Sequence, residues 1–406
     1  MKVEPGPIPA PLAGFRFSGV HGGLKARGRR DFALIVADRP VACAASFTAN
    51  RAAAAPVEVA RRNVASGQIQ AVMINSGNAN ASTGAKGLAF TEWSCRELAS
   101  RLLIDPSLVL PCSTGVIGVQ LARTPFARAI SLGVDALSPR GFSAAARAIM
   151  TSDAFPKWTA RRPDADQGGF SVVGMAKGAG MIRPQLVPCA TMLSFIMTDA
   201  DLTPAAARMI LDAALPLSFN RISVDGDTST NDTVVLLASG RAPGATIAGP
   251  DSPGYEDVAS AVTDVMDELA RMIVRDGEGA THIVDFVVRG TDDDASAEQI
   301  ARSVAESVLV KTALAGADPN WGRIVCAIGN SGVDIEMKAV EISINGKPIV
   351  RGSELISDEA RRRARKLMKA EAFTIEIDVG HGPGEVTVVT SDLTEAYVHF
   401  NSAYTS

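Results

Sequence analysis

Histidine and cysteine are scarce in this sequence, and their placement argues against metal-based and histidine-based chemistry. The 406 residues include four histidines, none of which lies in an H-E-x-x-H pattern or beside a pair of carboxylates. The cysteines are odd in number and have no C-x-x-C spacing. They are Cys43, Cys95, Cys112, Cys189 and Cys326. We therefore expect no metal site and no disulfide framework.

An excess of one charge and a long apolar run are also lacking. The formal net charge is −4, so no overall positive field attracts nucleic acid or an anionic membrane. No stretch reaches the roughly 18 consecutive apolar residues of a membrane span, and the first residues lack the apolar core of a secretory signal. These absences predict a cytoplasmic protein with neither nucleic acid nor membrane as a partner.

Common motifs for nucleophilic and phosphate chemistry are missing as well. The chain has no G-x-S-x-G nucleophile motif and no Walker loop. Residues 225–232, DGDTSTND, look like a calcium loop, but Thr230 stands where that loop needs glycine and Leu236 where it needs glutamate. We interpret this segment as a hydrogen-bonded turn.

Strand and helix patterns are mixed along the chain, which favours an α+β or layered α/β class. Residues 71–74 are typical of a buried strand before a polar loop, and the apolar spacing predicts a helix over residues 256–274. A hairpin is predicted around Asn345-Gly346, since both residues tolerate the positive φ angles of a type I′ turn.

The segment after the hairpin is predicted to form one more helix and one more strand pair. Ser357 or Asp358 can cap the helix, which should run to about Ala372. Residues 373–379 and 385–390 are expected to pair with each other.

Thr191 carries the candidate chemistry, although a threonine before an apolar run is by itself typical of a strand. If the peptide bond between Ala190 and Thr191 broke, Thr191 would gain a free α-amine with a pKa of about 7.7–8.0. One residue would then supply both nucleophile and base, a known variant of triad chemistry. Such a site would need no catalytic histidine.

A series of short motifs runs in a specific order along nearly the whole chain. They are NSGNANASTG (75–84), STGVIG (113–118), MTSDAFPK (150–157), KGAGMI (177–182), ATML (190–193), FNRISVDGDTSTNDT (219–233), DGEGATH (276–282), VKTALAGADPNWGR (310–323) and the terminal NSAYTS. In these motifs the chain resembles the glutamate N-acetyltransferase family, also called the ornithine acetyltransferase family.

The resemblance implies an architecture. It implies a layered α-β-β-α sandwich similar to N-terminal-nucleophile hydrolases, with residues 1–280 as the catalytic domain. Residues 281–406 would form a smaller α/β domain whose tail returns to the active site. Self-cleavage between Ala190 and Thr191 would give an α chain of residues 1–190 and a β chain of residues 191–406. Two copies of each would assemble into an α2β2 heterotetramer.

The resemblance also implies an activity, which is acetyl transfer from N2-acetyl-L-ornithine to L-glutamate in arginine biosynthesis. The cycle would be ping-pong, through an acetyl ester of Thr191, and no cofactor is expected. Some family members also make N-acetylglutamate from acetyl-CoA, and the sequence leaves open whether acetyl-CoA is a second substrate here.

Site residues follow from the motifs by the same resemblance. Thr191 would be the nucleophile, and Thr114 with Gly115 would form the oxyanion hole. The substrate site would be lined by Thr151, Lys177, Thr191, Glu278, Asn401 and Ser406. Taken without the resemblance, the STG motif is an ordinary turn, Lys177 a surface lysine, and Glu278 a turn carboxylate.

The chain departs from the family pattern at three places. The segment IRPQLVPCA between Met181 and Thr191 is longer than the family's by roughly three residues. His282 stands where the family commonly has lysine, and Ser406 replaces a terminal threonine while keeping its hydroxyl. The longer segment bears on the geometry of self-cleavage.

Two other functions stay open on the residues. An amidase or aminopeptidase of the N-terminal-nucleophile type would share Thr191 and the oxyanion hole but would admit water. A binding protein that never cleaves itself would keep the fold without the chemistry.

Overall fold

The computed structural model of the chain describes residues 6–25, 28–163, 169–183 and 192–403. These residues divide into two compact units. The N-terminal unit comprises the chain up to Asn220 together with Asp227–Ile273, and the C-terminal unit comprises Arg221–Gly226 and the chain from Val274 onward. The sequence-based division after residue 280 stays a prediction about domains.

Strands occur in both units. They are β1 (Phe15–Val20), β2 (Phe32–Phe47), β3 (Gln68–Asn78), β4 (Val109–Val116), β5 (Lys157–Arg161), β6 (Val172–Lys177), β7 (Leu193–Thr198), β8 (Ile222–Ser223), β9 (Thr233–Ala238), β10 (Ile283–Thr291), β11 (Glu341–Ile344), β12 (Lys347–Arg351), β13 (Glu354–Leu355), β14 (Ala372–Asp378) and β15 (Gly384–Ser391).

Helices occur in both units as well. They are α1 (Ala55–Asn63), α2 (Gly84–Leu102), α3 (Arg123–Asp135), α4 (Phe142–Ala148), α5 (Pro204–Ala214), α6 (Tyr255–Arg275), α7 (Asp294–Ala305), α8 (Val308–Ala315), α9 (Trp321–Gly329), α10 (Asp358–Leu367) and α11 (Glu395–Ala403). Among the described helices, none is long and apolar enough to cross a membrane.

The N-terminal unit is built on one mixed sheet. Within the described residues its strand order is β4-β3-β2-β9-β7-β6-β5, and β1 also pairs with β2. Successive side chains of a strand point to opposite faces of a sheet. Accordingly, Phe32 and Leu34 of β2 pack with residues of α2 and α3, whereas Ala33 and Ile35 pack with residues of α4. Helices therefore cover both faces of this sheet.

The C-terminal unit has a second mixed sheet, in the order β13-β12-β11-β14-β10-β15-β8. Buried residues of β10, β11, β12, β14 and β15 form one core cluster with residues of α7, α8, α9 and α10. The two sheets, each mixed in strand direction and packed with helices, confirm the layered α+β architecture.

Two local predictions need correction in this unit. Residues 373–379 and 385–390 are strands but do not pair with each other, because β10 lies between β14 and β15 and pairs with both. The helix that Ser357 caps ends at Leu367 instead of Ala372, and Ala372 begins β14. A strand at a distance of more than 80 residues cannot be located from local patterns.

Other local predictions are confirmed. The helix over residues 256–274 is α6, and residues 71–74 lie in β3. Asn345 and Gly346 have φ angles of 47° and 69° between the antiparallel strands β11 and β12, as a type I′ turn requires. The Ser357 side chain accepts a hydrogen bond from the Ala360 N–H.

The core of the C-terminal unit gives a first testable prediction. Phe286 is fully buried in β10, where its neighbours in register are Ile375 and Val388. Phe286→Ala should lower the free energy of unfolding by about 3–5 kcal/mol, because it removes buried apolar surface and leaves a cavity. Urea titration checks this. Val398→Ala, at a side chain that is 61% exposed, should change stability by less than about 0.5 kcal/mol. Equal losses in both variants would contradict the assignment of the core.

Candidate active site

Lys177 and Thr114 meet in the N-terminal unit. Lys177 is the last residue of β6 and is only 7% exposed, and its Nζ donates a hydrogen bond to Thr114 Oγ1 over 3.3 Å. An ammonium group is a donor only, so the Thr114 hydroxyl is the acceptor in this contact. The hydroxyl proton of Thr114 is therefore available to a negatively charged oxygen of a ligand.

Gly115, directly after Thr114, occupies a position that only glycine can fill. Its φ angle is +130°, and a Cβ atom there would lie 2.3 Å from the carbonyl carbon of Gly77. Both the backbone angle and the close approach of β4 to β3 exclude a side chain. The need for glycine at this position fixes the path of the backbone immediately after Thr114.

A buried carboxylate, Asp153, holds several parts of this region together. Asp153 Oδ1 lies 2.7 Å from Lys157 Nζ, and both side chains are fully buried. The same oxygen accepts a hydrogen bond from the Gly178 N–H over 2.7 Å, and Oδ2 accepts one from the Thr151 N–H over 2.8 Å. One carboxylate thus fixes the backbone of Thr151 and the residue that follows Lys177.

The charge state of Asp153 follows from its neighbours. Burial raises the pKa of this carboxyl, but the ammonium groups of Lys157 and Lys177 and the hydrogen bond from Gly178 outweigh that effect and hold the pKa well below its usual range. Asp153 is consequently ionised at neutral pH, and the pair is a buried ion pair.

Residues 229–233, STNDT, contact the strand ends around Ser113 through the Asn231 side chain. The Asn231 Nδ2 donates to the carbonyl oxygens of Ala79 over 2.6 Å and of Ser113 over 2.9 Å. Ser113 precedes Thr114, and its hydroxyl donates to Asn75 Oδ1 over 2.6 Å. Asn231 therefore ties the start of β9 to the ends of β3 and β4, instead of serving only the local turn expected for residues 225–232.

Asp232, the next residue, is a second buried carboxylate. It is 1% exposed, and its Oδ2 has no hydrogen-bond partner among the described residues. Burial raises the pKa of this carboxyl well above its usual range, whereas Lys177 and hydrogen bonds from Ser229 and the Met192 backbone act in the opposite direction. A buried oxygen without a donor is costly, so Asp232 is a candidate functional group.

A further cation approaches Thr151 from the loop after β1. The fully buried Asp31 accepts hydrogen bonds from the N–H groups of Gly22, Leu24 and Lys25, which shapes this loop. The Lys25 Nζ donates to the Met150 carbonyl over 2.5 Å. Burial and the nearby Arg29 lower the pKa of Lys25 to about 8. The region around Thr151 is thus rich in positive charge.

The C-terminal unit brings Glu278 and Asn401 together. The Asn401 Nδ2 donates to Glu278 Oε2 over 3.0 Å and to the Tyr397 carbonyl over 3.1 Å. The helix α11 lies so close to the DGEG loop that a Cβ on Gly279, whose φ is +73°, would be 2.7 Å from the Tyr397 nitrogen. The tail up to residue 403 is therefore packed against the loop that carries Glu278.

Asp392 anchors the other end of that loop. Its fully buried carboxylate accepts hydrogen bonds from the N–H groups of Thr281 over 2.8 Å and His282 over 3.0 Å, and it lies 3.1 Å from His282 Nδ1. His282, one of the departures from the family pattern, is thus part of a structural contact in this unit.

The structure therefore places the expected site residues in two groups. Thr114, Gly115, Thr151 and Lys177 lie in the N-terminal unit, where contacts with Asp153 and between Lys177 and Thr114 connect them. Glu278 and Asn401 contact each other in the C-terminal unit. The residues Ala190, Thr191 and Ser406 lie outside the described residues.

Sequence reasoning missed Asp153, Lys157, Asn231 and Asp232. All four lie inside the motifs MTSDAFPK (150–157) and FNRISVDGDTSTNDT (219–233). The spacing of four residues between Asp153 and Lys157 is compatible with an ion pair and was visible in the sequence. Only burial distinguishes this pair from a surface ion pair.

The fold and this cluster of ionised and hydroxyl side chains define a layered α+β enzyme. The model of the ArgJ family matches residues 16–406. Arginine biosynthesis bifunctional protein ArgJ of Geobacter sulfurreducens is 42% identical over 393 residues, which are 97% of this chain and 99% of that protein. The protein of the same name from Nitratidesulfovibrio vulgaris is 43% identical over 394 residues, with 97% and 98% covered. The chain belongs to the ArgJ family.

One solved structure adds to this comparison. The crystal structure of Arginine biosynthesis bifunctional protein argJ from Bacillus halodurans is 39% identical, with a TM-score of 0.50. The match covers 53% of this chain and 100% of that chain. The chain in that crystal is thus about half as long as this one.

The buried Asp153–Lys157 pair leads to a prediction about stability. Asp153→Asn should lower the free energy of unfolding by about 3–5 kcal/mol, because it leaves the Lys157 ammonium buried without its counter-charge. In the unchanged protein the stabilisation is fully present above the unfolded pKa of about 3.9, and it is lost as the pH falls below that value, since the folded pKa is the lower one.

A matched control is available in α5. Arg208 and Asp212 have the same spacing of four residues, but both side chains are about half exposed. Asp212→Asn should cost less than about 1 kcal/mol. Urea titration of both variants measures the difference, and equal costs would show that Asp153 is not an essential buried counter-charge.

Proposed function

We propose that this enzyme of arginine biosynthesis transfers an acetyl group from N2-acetyl-L-ornithine to L-glutamate. The nucleophile is Thr191, which becomes the first residue of a β chain when the precursor cuts itself after Ala190. The α and β chains assemble as an α2β2 heterotetramer in the cytoplasm.

One observation carries this proposal. Lys177 and Thr114 lie within 3.3 Å of each other, and Lys177 pairs in register with Leu193, the first residue of β7. Leu193 is two residues after Thr191 in the sequence. The residues that the family resemblance gives to substrate and oxyanion thus converge on the strand that begins just after the nucleophile.

The length of the solved relative supports cleavage. Residues 191–406 are 53% of this chain, and the crystallised Bacillus halodurans chain is matched over its whole length by 53% of this chain. A relative that is present as a half-length chain agrees with a precursor that is divided into two pieces.

The chemistry of acetyl transfer follows from these groups. The Thr191 hydroxyl attacks the acetyl carbonyl of N-acetylornithine, and the α-amine of Thr191 accepts its proton. The Thr114 hydroxyl and the Gly115 N–H stabilise the oxyanion, a contribution that typically changes the rate about 10²–10³-fold for each donor. The proton passes to the departing nitrogen as ornithine leaves. The glutamate amine then attacks the acetyl ester, its proton is returned through the α-amine to the Thr191 oxygen, and N-acetylglutamate is released.

Substrate recognition requires both a positive and a negative group on the enzyme, since both amino acids carry a carboxylate and a cationic group. The Lys177 ammonium suits the α-carboxylate, and Thr151 supplies a hydroxyl to the same site. Glu278 suits an ammonium group, and Asn401 and Ser406 from the tail supply further hydrogen bonds. During the second half of the cycle water must be excluded, or the enzyme would release acetate.

The nucleophile is tested by substitution. Thr191→Ala should abolish both self-cleavage and acetyl transfer, because it removes the attacking oxygen, whereas Thr191→Ser keeps a hydroxyl and should still cleave. Denaturing gels resolve one intact chain of 42.3 kDa from two pieces of about half that mass. Acetyl transfer by folded Thr191→Ala at the native rate would refute the proposal.

The products of the acetyl-transfer assay distinguish an acetyltransferase from the hydrolase that the sequence left open. Formation of N-acetylglutamate indicates an acetyltransferase, and release of free acetate indicates a hydrolase. Replacement of N-acetylornithine by acetyl-CoA decides whether acetyl-CoA is a second substrate.

The tail is tested by truncation. A chain that ends at Phe400 should remain folded but lose at least about tenfold in kcat/KM, because it lacks Asn401, which contacts Glu278, and the terminal hydroxyl. A tenfold loss corresponds to about 1.4 kcal/mol, close to one hydrogen bond to a charged group. An unchanged kcat/KM would exclude the tail from the site.

A further inference from the structure

The two substrates of the proposed reaction differ in the charge of their side chains. N-acetylornithine ends in an ammonium group, whereas glutamate ends in a second carboxylate. Glu278, which suits the ammonium group, would repel that carboxylate, because adjacent like charges are unfavourable. The Lys177 ammonium is assigned to the α-carboxylate that both substrates share. Recognition of glutamate therefore requires a second cation, which the reaction as proposed so far does not include.

Lys25 is a cation of this kind in the N-terminal unit. It is partly buried, and its Nζ donates hydrogen bonds to the carbonyl oxygens of Met150 over 2.5 Å and of Arg30 over 3.2 Å. Neither carbonyl neutralises its charge, and an ammonium group has three N–H donors. Within the contacts of the described residues, one N–H of Lys25 therefore remains for a ligand that brings negative charge.

Asp31, the carboxylate of the same loop, is engaged by other groups. It is fully buried and accepts hydrogen bonds from the backbone N–H groups of residues 22–25 over 2.6–3.1 Å. These bonds fix the backbone of the loop and with it the point from which the Lys25 side chain extends. Asp31 thus positions Lys25 instead of forming a direct pair with its ammonium group.

The Lys25 side chain lies against the two strands that carry the proposed oxyanion donors. Gly77 of β3 pairs in register with Gly115 of β4. The φ angle of Gly77 is +106°, and a Cβ atom on it would lie 2.8 Å from Lys25 Cγ, so glycine is needed where the lysine side chain passes. Gly77 therefore contacts both the Lys25 side chain and Gly115, whose N–H is a proposed oxyanion donor.

The ammonium end of Lys25 lies at the segment that carries Thr151. The carbonyl that it binds belongs to Met150, and the next residue, Thr151, donates its N–H to Asp153 over 2.8 Å. Asp153 also accepts a hydrogen bond from the N–H of the residue after Lys177. Lys25 and Lys177 are thus connected to one buried carboxylate through short stretches of backbone, as two cations for one dicarboxylate substrate would have to be.

The charge state of Lys25 agrees with a cation that lacks a carboxylate partner. Burial, and then the charges of Arg29 and Lys177, lower its pKa to about 8, whereas Asp31 acts in the opposite direction. Because this pKa lies above neutral pH, the ammonium form still predominates there. A carboxylate ligand would stabilise that form and reduce the repulsion between the neighbouring cations.

We propose that Lys25 is a specificity-determining residue for the acceptor, where its ammonium group binds the side-chain carboxylate of glutamate. The inference rests on the proposed function, because that function supplies glutamate as the acceptor. Lys25 takes no part in the covalent steps. It acts in the second half of the cycle, since N-acetylornithine has no side-chain carboxylate.

The test uses glutamine as a probe, because glutamine has nearly the shape of glutamate without the side-chain charge. The value of kcat/KM for each acceptor is determined at saturating N-acetylornithine for Lys25→Met, Lys25→Gln, Lys25→Arg and the matched control Lys347→Met. Lys347 is an exposed lysine at the start of β12. Each variant is purified as the full chain, and its folding and cleavage are measured by circular dichroism and denaturing gels.

Lys25→Met should lower kcat/KM for glutamate about tenfold or more and that for glutamine less than about threefold, because only glutamate loses a charge-assisted hydrogen bond. Release of ornithine in the first half of the cycle, measured without an acceptor, should change less than about threefold. Lys25→Arg keeps the positive charge and should recover part of the preference for glutamate. Lys347→Met should match the unchanged protein in every measurement.

Equal losses for glutamate and glutamine would overturn the inference, because a lysine with a purely structural role affects both acceptors alike. An unchanged kcat/KM for glutamate in folded, cleaved Lys25→Met would also overturn it. Lys25→Gln keeps a donor for the Met150 carbonyl, so failure of both Lys25→Met and Lys25→Gln to fold or cleave would assign Lys25 to the fold and contradict the inference. Absence of acetyl transfer to glutamate in the unchanged protein would instead refute the proposed function.

Discussion

The candidate site depends on the ion pair and the hydrogen bonds that the Asp153 carboxylate makes. It is buried together with Lys157 and accepts backbone hydrogen bonds from Thr151 and Gly178. Breaking a buried ion pair leaves an uncompensated charge, so this arrangement is costly to disrupt. Lys177 gains its position from it, since the next residue is fixed by the carboxylate. The ammonium of Lys177 then meets the Thr114 hydroxyl on a different strand. A site that handles a developing oxyanion needs such preorganised donors, because they do not have to reorganise during the reaction.

The second constraint is the parallel pairing of β7 with β9. This register pairs Leu193 with Thr233, forty residues apart along the chain, and the Thr233 N–H donates to the Met192 carbonyl. The Asn231 side chain holds the same segment against Ala79 and Ser113. Backbone pairing and one buried amide thus gather the motifs NSGNANASTG, STGVIG and STNDT around the start of a single strand. The proposed chemistry uses that convergence, because a threonine nucleophile needs oxyanion donors that are already in position.

Local physics explains which features could be predicted from the sequence. The Asn345-Gly346 turn, the helix α6 and the Ser357 cap depend on neighbouring residues, and all three are present. The predicted pairing of β14 with β15 was wrong, because β10, which is distant in the sequence, lies between them and pairs with both. The motifs supplied Thr114, Lys177, Glu278 and Asn401 as site residues; Lys177 contacts Thr114 and Asn401 contacts Glu278, and their roles stay predictions. The importance of Asp153 and Asp232 could not be predicted, because a carboxylate in a motif looks the same whether solvent or a protein core surrounds it.

The covalent intermediate tests the account most directly. The purified protein is incubated briefly with N-acetylornithine in the absence of glutamate, and the intact masses of its pieces are measured. The account predicts a gain of one acetyl group on the piece that begins at Thr191, and its loss once glutamate is added. A cleaved, active protein that carries no acetyl group on that piece, or that carries it on the piece ending at Ala190, would contradict the central claim.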